Sequence, residues 1–120
     1  MAQVVALMDD LFFQAKVSGT AKVLGIELRT CTTPEALATE IAERPPKLVV
    51  VDLNSRNNPI QAIENLRASA PDIPVFGFLS HVQVELAQQA RAAGCQEVMP
   101  RSKFTNELAT ILGRVKSEPL

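Results

Sequence analysis

Residues 48–54 of the chain read LVVVDLN, a run of four apolar residues, three of them β-branched, that ends at an aspartate. Such a run is typical of a strand that is buried on both faces at the centre of a parallel sheet. A proline pair at residues 45–46 stops the segment before the run, and Asn58-Pro59 opens a helix after it by a cap followed by a proline. The sequence therefore predicts a central strand that ends at Asp52.

Strand-like and helix-like segments alternate on both sides of this central run. Further apolar runs predict strands at residues 4–8, 26–30, 73–79 and 98–99. Apolar spacing, capping residues, prolines and glycines predict helices at residues 11–24, 33–44, 58–70, 82–93 and 105–115. The alternation of apolar and polar residues in 26–30 places that strand at a sheet edge. The order of elements predicts an α/β fold of (βα)5 type, a doubly wound parallel sheet between two helical layers.

Length and composition indicate one small domain over residues 1–120, with residues 116–120 as a frayed tail. The net charge of −1 does not favour a nucleic-acid binder or a polybasic membrane binder. No apolar run approaches the roughly 20 residues of a membrane span, and the first residues lack a signal-peptide pattern. Cys31 and Cys95 are isolated, which is typical of reduced core cysteines. We therefore expect a cytoplasmic protein, with no nucleic acid and no membrane among its partners.

Three of the four aspartates in the chain follow predicted strands. Asp9 and Asp10 come after the first strand, and Asp52 ends the third. Ligands of an open parallel sheet bind beyond the carboxyl ends of its strands, where the strand order reverses, and we expect the first and third strands to be neighbours there. Carboxylates gathered at one place repel one another unless a cation neutralises them, and a partly hydrated Mg²⁺ suits oxygen ligands. The alternative is that Asp10 only caps the first helix and Asp52 only ends a strand.

Three segments of the chain resemble a known family. LVVVDLN at 48–54, MDD at 8–10 and SHVQVELAQQARAAG at 80–94 are similar to the receiver domain of two-component response regulators (CheY-like), and the resemblance covers nearly the whole chain. It implies a flavodoxin-like receiver fold with strand order 2-1-3-4-5. It also implies that Asp52 is a phosphoacceptor whose carboxylate attacks a phosphoryl donor to give an acyl phosphate. By the same resemblance, Mg²⁺ is a cofactor, held by Asp9, Asp10, Asp52 and the backbone carbonyl of Asn54.

The sequence departs from the family at positions that respond to phosphorylation. The family's Thr or Ser at the end of strand four aligns with Leu79, which has no hydroxyl, and Ser80 can replace it only if the strand has already ended. The family's aromatic switch residue in strand five aligns with Val98. Its lysine aligns with Arg101, and Ser102 stands where a proline usually follows. Arginine keeps the positive charge on a larger planar group, so we expect Arg101 to be the counter-charge of the site.

Two interpretations of the function remain open. In the first, the chain is a stand-alone receiver-like domain in phosphorelay signal transduction, and its only reaction is self-catalysed phosphoryl transfer onto Asp52. In the second, it is a pseudo-receiver that works as a protein-interaction module without phosphorylation, as Leu79, Val98 and Arg101 suggest. A small phosphatase of the haloacid-dehalogenase type is disfavoured because Asn54 stands where its second acid is expected.

Both interpretations require protein partners, either a histidine kinase or a downstream target. In the family the contact face consists of helix four, strand five and helix five, and here this face carries mostly uncharged polar residues: Gln83, Gln88, Gln89, Arg91 and Lys103. The same face could support a weak homodimer. His81, the only histidine, is expected on an exposed loop, and Phe104 either packs under the last helix or belongs to the contact face.

Overall fold

A computed structural model of the chain describes residues 3–80 and 83–115, in which strands and helices alternate. The strands are β1 (Val4–Leu7), β2 (Leu28–Cys31), β3 (Leu48–Asp52), β4 (Val75–Leu79) and β5 (Glu97–Pro100). The helices are α1 (Leu11–Leu24), α2 (Pro34–Glu43), α3 (Pro59–Ser69), α4 (Val84–Ala93), α5 (Arg101–Asn106) and α6 (Leu108–Gly113). The predicted frayed tail and His81 lie outside the described residues.

The five strands form one parallel sheet in the order β2-β1-β3-β4-β5, which confirms the predicted fold class and strand order. Strand β3 lies at the centre, with Val50 opposite Ala6 of β1 and opposite Phe76 of β4. All residues of β1 and β3 are buried, whereas every residue of β2 is half-buried. This contrast agrees with the prediction of an edge strand from the mixed polarity of residues 26–30.

The core consists of two apolar layers, one on each face of the sheet. Because successive strand residues point to opposite faces, Val4 and Ala6 pack under α1, α5 and α6, while Val5 and Leu7 pack under α2, α3 and α4. Both layers are covered by helices, as a parallel sheet requires. No helix in residues 3–80 and 83–115 is long and apolar enough to cross a membrane.

The two cysteines are free thiols in the described structure. Cys95 is buried in the core, as predicted, while Cys31 is only half-buried on the edge strand. Burial raises the pKa of Cys31 to about 11 and that of Cys95 to about 12. Both thiols therefore stay protonated at neutral pH, and the half-buried thiol of Cys31 donates to the backbone carbonyl of Ala6 at 3.7 Å.

The C-terminal helical region differs from the prediction of one helix over residues 105–115. It begins at Arg101 and is divided into α5 and α6 at Glu107, whose φ of −103° and ψ of 9° leave the helical range. The apolar spacing of residues 105–115 detected the buried face, formed by Leu108, Ile111 and Leu112, but not the earlier start. Because α5 begins at once after β5, Arg101 lies at the carboxyl edge of the sheet.

The start of α3 also differs in detail from the prediction. The helix begins at Pro59, but Asn58 makes no side-chain capping hydrogen bond and has a left-handed backbone with a φ of 52°. Asparagine tolerates this conformation better than other residues with side chains. The loop after β3 therefore ends at the left-handed backbone of Asn58, and α3 begins at Pro59 without a side-chain cap.

Candidate functional site

The carboxyl ends of β1 and β3 place three aspartates at one edge of the sheet. Asp52 is the last residue of β3 and its exposed fraction is 2%, whereas Asp9 and Asp10 follow β1 and are half-buried. The two strands are parallel neighbours, with Leu7 opposite Val51, so the loops that follow them meet. This is the edge at which an open parallel sheet binds ligands.

Both carboxylate oxygens of Asp52 face a positive or hydrogen-bonding group. The backbone N–H of Asn54 donates to Oδ1 at 2.9 Å, and Nη2 of Arg101 lies 3.6 Å from Oδ2. Burial raises the pKa of Asp52, an effect that the Asn54 hydrogen bond and the Arg101 charge oppose and that the charges of Asp9 and Asp10 reinforce. The pKa of this carboxyl lies above its ordinary value.

Asp10 joins the first helix to the site. Its Oδ1 accepts hydrogen bonds from the backbone N–H groups of Phe12 and Phe13, at 3.0 and 3.1 Å, and so caps α1. Its Oδ2 lies 3.3 Å from Nη1 of Arg101. The Phe13 hydrogen bond, with help from Arg101, holds the pKa of Asp10 below its ordinary value. Asp10 therefore caps α1, as the alternative interpretation predicted, and also contacts Arg101 at the edge of the sheet; its role as a metal ligand stays a prediction.

Asp9 ties the loop after β1 to the loop after β3. The backbone N–H of Arg56 donates to Oδ2 of Asp9 at 3.1 Å, and the N–H of Ser55 donates to the carbonyl of Asp52 at 3.1 Å. The hydroxyl of Ser55 is buried and has no hydrogen-bond partner among the described residues. The contribution of Arg56 could not be predicted, because a backbone donor in an irregular loop has no side-chain signature.

Arg101 lies between Asp10 and Asp52 and against the aromatic part of the core. Its Cζ stands 4.8 Å from the ring centroid of Phe13 and 5.7 Å from that of Phe78. Its Nε is buried without a hydrogen-bond partner in the described part of the chain. Phe104 is fully buried and stacks on Phe78 at 4.6 Å, so it packs beneath the site and not on a contact face.

Asn54 links the site to the beginning of α4. Its Oδ1 accepts from the backbone N–H of Ser80 at 2.6 Å, and its Nδ2 donates to Oε1 of Gln83 at 2.9 Å. The Asn54 side chain holds these two loops together, and the role of the Asn54 backbone carbonyl as a metal ligand stays a prediction. Gln83, assigned above to the contact face, is half-buried in this network. Ser80 is exposed and stands just beyond the end of β4, so the strand has ended before it, and its role as a replacement hydroxyl stays a prediction.

Leu79 and Val98 align with the residues of the family that respond to phosphorylation; both lie next to this network, and both are apolar. Leu79 is buried at the end of β4, and Val98 is half-buried in β5. A groove of about 250 Å³ runs between α4 and β5 beside them, and Val84, 61% exposed, stands at its rim. Of the remaining residues assigned to the contact face, Gln88, Gln89, Arg91 and Lys103 are exposed.

The aspartates have the donor chemistry for Mg²⁺ but not the arrangement. Carboxylate and carbonyl oxygens are the ligands that this ion prefers, in near-octahedral geometry. In residues 3–80 and 83–115, however, no group of three or more Asp, Glu, His or Cys side chains is arranged to hold a metal ion. The facing oxygens of Asp10 and Asp52 are directed at Arg101. In this conformation the site fits a guanidinium and does not fit Mg²⁺.

Comparison with known proteins identifies the fold. No protein-family model matches the chain. The nitrogen assimilation regulatory protein NtrX of Azorhizobium caulinodans is 25% identical over 118 residues, which are 95% of this chain and 26% of that protein. The chain thus spans about a quarter of the length of the curated relative it matches.

Solved structures of other proteins superpose on nearly the whole chain. The receiver domain of NtrX from Brucella abortus has a TM-score of 0.81 at 21% identity, over 96% of this chain and 99% of that one. Chemotaxis response regulator CheY4 of Vibrio cholerae has a TM-score of 0.82 at 19% identity, over 96% and 98% of the two chains. The chain therefore has the fold of response-regulator receiver domains, which confirms the predicted resemblance at the level of the fold.

Proposed function

We propose that this chain, whose fold is that of receiver domains, is a signalling domain in which Asp52 accepts a phosphoryl group. The observation that carries the proposal is the setting of Asp52 at the end of the central strand, where one carboxylate oxygen is held by the Asn54 amide and the other faces Arg101. Two similar proteins are described as a nitrogen assimilation regulator and a chemotaxis response regulator. Both descriptions are of regulatory proteins and support a role in signal transduction.

The proposed reaction is a transfer onto the carboxylate. An oxygen of Asp52 attacks phosphorus and forms a P–O bond, while the bond between phosphorus and the leaving group of the donor breaks. The leaving group takes the bonding electron pair, and the product is an acyl phosphate on Asp52. The donor is a phosphohistidine of a kinase or a small acyl phosphate such as acetyl phosphate. The chain modifies itself in this reaction and turns over no other substrate.

Arg101 supplies the positive charge that the reaction requires. The incoming phosphoryl group is anionic, and the carboxylates of Asp9 and Asp10 repel it. The Arg101 guanidinium, 3.6 Å from Asp52, can turn its donors from the carboxylates to the phosphoryl oxygens, for which its planar fork is well matched. We assign Ser80 as an auxiliary hydroxyl donor, because β4 has ended before it.

Signal output requires a protein partner, and we assign it to the face formed by α4, β5 and α5. The Asn54 side chain connects the loop after Asp52 with Gln83 at the start of α4, so a change at Asp52 has a direct hydrogen-bonded route to this face. The groove between α4 and β5 offers an apolar surface beside exposed Gln88 and Arg91. The occupant that we propose is a kinase or a downstream target, and a second copy of the chain is the alternative.

Intact mass spectrometry after incubation with acetyl phosphate tests the proposal. We expect the chain to gain one phosphoryl group, the Asp52→Asn variant to gain none, and Asp72→Asn to behave as the unchanged chain. Asp72 is an exposed aspartate in the loop before β4 and is the matched control. Absence of any gain in the folded chain, with acetyl phosphate and with a histidine kinase, would favour the phosphorylation-independent module.

A further inference from the structure

We propose that Arg101 is the resident cation of the acidic site. Its guanidinium occupies the position between Asp10 and Asp52 that a divalent ion would need, so Mg²⁺ and Arg101 compete for the same carboxylate oxygens. The inference concerns the resting state of the chain and goes beyond the proposed function. It does not depend on whether Asp52 accepts a phosphoryl group.

The first step of the argument is that one side chain reaches two carboxylates. Nη1 of Arg101 lies 3.3 Å from Oδ2 of Asp10, and Nη2 lies 3.6 Å from Oδ2 of Asp52. Asp10 follows β1 and Asp52 ends β3, so the guanidinium neutralises the repulsion between carboxylates at the ends of two strands, as a bound metal ion would. A planar fork with several donors can do this, whereas a compact ammonium group has a single centre.

The second step is that the core holds the guanidinium in place. It lies over the rings of Phe13 and Phe78, at 4.8 and 5.7 Å, where the ring faces attract a cation. Phe13 is buried in the first turn of α1, three residues after Asp10, which caps that helix, so the carboxylate and the ring are presented together. At the other end, Arg101 opens α5 directly after Pro100, which pairs with Leu79 in the sheet.

The third step is that three of the four remaining carboxylate oxygens of Asp9, Asp10 and Asp52 already accept hydrogen bonds. Oδ1 of Asp10 accepts from two backbone N–H groups of α1, Oδ1 of Asp52 accepts from the Asn54 amide, and Oδ2 of Asp9 accepts from the Arg56 amide. Mg²⁺ demands near-octahedral geometry and gives up its water reluctantly. To bind Asp10 and Asp52 together, it must therefore displace the guanidinium from both of them.

Titration with Mg²⁺ by isothermal calorimetry, on the full chain, tests the competition. The variants are Arg101→Gln, which removes the fork and the charge, and Arg101→Lys, which keeps the charge but not the fork. We expect both to bind Mg²⁺ at least about tenfold more tightly than the unchanged chain, a difference that corresponds to about 1.4 kcal/mol. The readout is metal binding, so a failure of Asp52 to accept phosphate leaves the test intact.

The matched control is Arg114→Gln. Arg114 also combines a carboxylate partner with an aromatic face, since Nη1 lies 3.2 Å from Oε2 of Glu97 and Cζ lies 5.0 Å from the Phe76 ring. It lies away from the acidic site, so its removal should leave Mg²⁺ affinity unchanged. A thermal melt of each variant verifies that it is folded, and if Arg101→Gln fails to fold, Arg101→Lys alone decides.

Three results would overturn the proposal. One is Mg²⁺ binding by the unchanged chain that is as tight as binding by both Arg101 variants. Another is Mg²⁺ binding that is undetectable in the unchanged chain and in both Arg101 variants, because removal of the guanidinium must free the carboxylate oxygens of Asp10 and Asp52. The third is tight binding by Arg101→Gln together with weak binding by Arg101→Lys, which would show that charge repulsion, and not occupancy, excludes the ion.

Discussion

Asp52 combines deep burial with negative charge, and this combination sets the electrostatics of the site. The side chain is 2% exposed, and burial is the largest influence on its raised pKa. The Asn54 amide and Arg101 compensate for part of the lost hydration. A carboxylate held in this way costs stability when it is charged, which is typical of a group retained for reactivity rather than for folding.

The pH dependence of stability should show this cost. The pKa of Asp52 is higher in the folded chain than in the unfolded chain, so between these two pKa values the folded chain binds more protons. The contribution of Asp52 to stability therefore falls as pH rises between the two values, and it is fully present below the unfolded value. We expect the unfolding free energy of the unchanged chain, minus that of Asp52→Asn, to fall between acidic and neutral pH. Urea denaturation at several pH values measures it.

Asp72→Asn is again the control, because its side chain is exposed and its substitution should give a difference that changes little with pH. A difference for Asp52→Asn that stays flat, or that rises with pH, would contradict the assignment of Asp52 as a buried carboxylate of raised pKa.

At the level of elements, the site rests on packing between α1, β4 and α5. One ring from each element takes part, and the centroids of Phe13, Phe78 and Phe104 lie 4.6 to 6.0 Å apart. Arg101 lies over two of these rings. The position of the guanidinium therefore depends on the core beneath it.

Phe104→Ala should remove one ring from this cluster. We expect a loss of about 3–5 kcal/mol in the unfolding free energy, because Phe104 is fully buried and its removal leaves a cavity. Phe12→Ala is the matched control, since Phe12 is 92% exposed and its loss should change stability by about 0.5 kcal/mol or less. Equal losses in urea denaturation would contradict the burial of Phe104 under the site.

The end of α4 depends on a glycine. Gly94 has a φ of 135°, and a Cβ built there would lie 2.9 Å from Cδ of Arg67. We expect Gly94→Ala to lower the unfolding free energy by more than about 1 kcal/mol. Gly19→Ala, in the middle of α1 with open space around its Cα, should instead raise it by about 0.5–1 kcal/mol. Two changes of the same sign would contradict this account of the helix end.

At the level of the whole molecule, pattern in the sequence is enough for the sheet but not for the site. The apolar run at 48–54 predicts a central strand, and the mixed polarity of 26–30 predicts an edge strand. Both predictions succeed because a strand buried on both faces is apolar throughout, whereas a strand with one face in water alternates. The positions of Asp52 and Asp10 follow from the strand ends. The bounds of α1 were predicted without error.

The contacts of the site come largely from loops, whose sequences lack the periodic pattern of apolar residues that predicts strands and helices. The Arg56 amide and the Gln83 side chain enter from loops, and neither has a motif. The reach of Arg101 to Asp10 follows from a helix that begins four residues earlier than its apolar spacing predicts. Residue identity therefore predicts the charges that meet at this edge of the sheet, and only the structure shows that a guanidinium lies between them.

The central claim is that Asp52 is the residue that accepts a phosphoryl group, and the most direct measurement is to locate that group. Tandem mass spectrometry after acetyl phosphate treatment and borohydride reduction, which marks the acyl phosphate, reads the modified residue. We predict that the mark lies on Asp52 alone and is absent from Asp52→Asn. A mark on Asp9, Asp10 or any other residue, or one that persists in Asp52→Asn, would contradict the account.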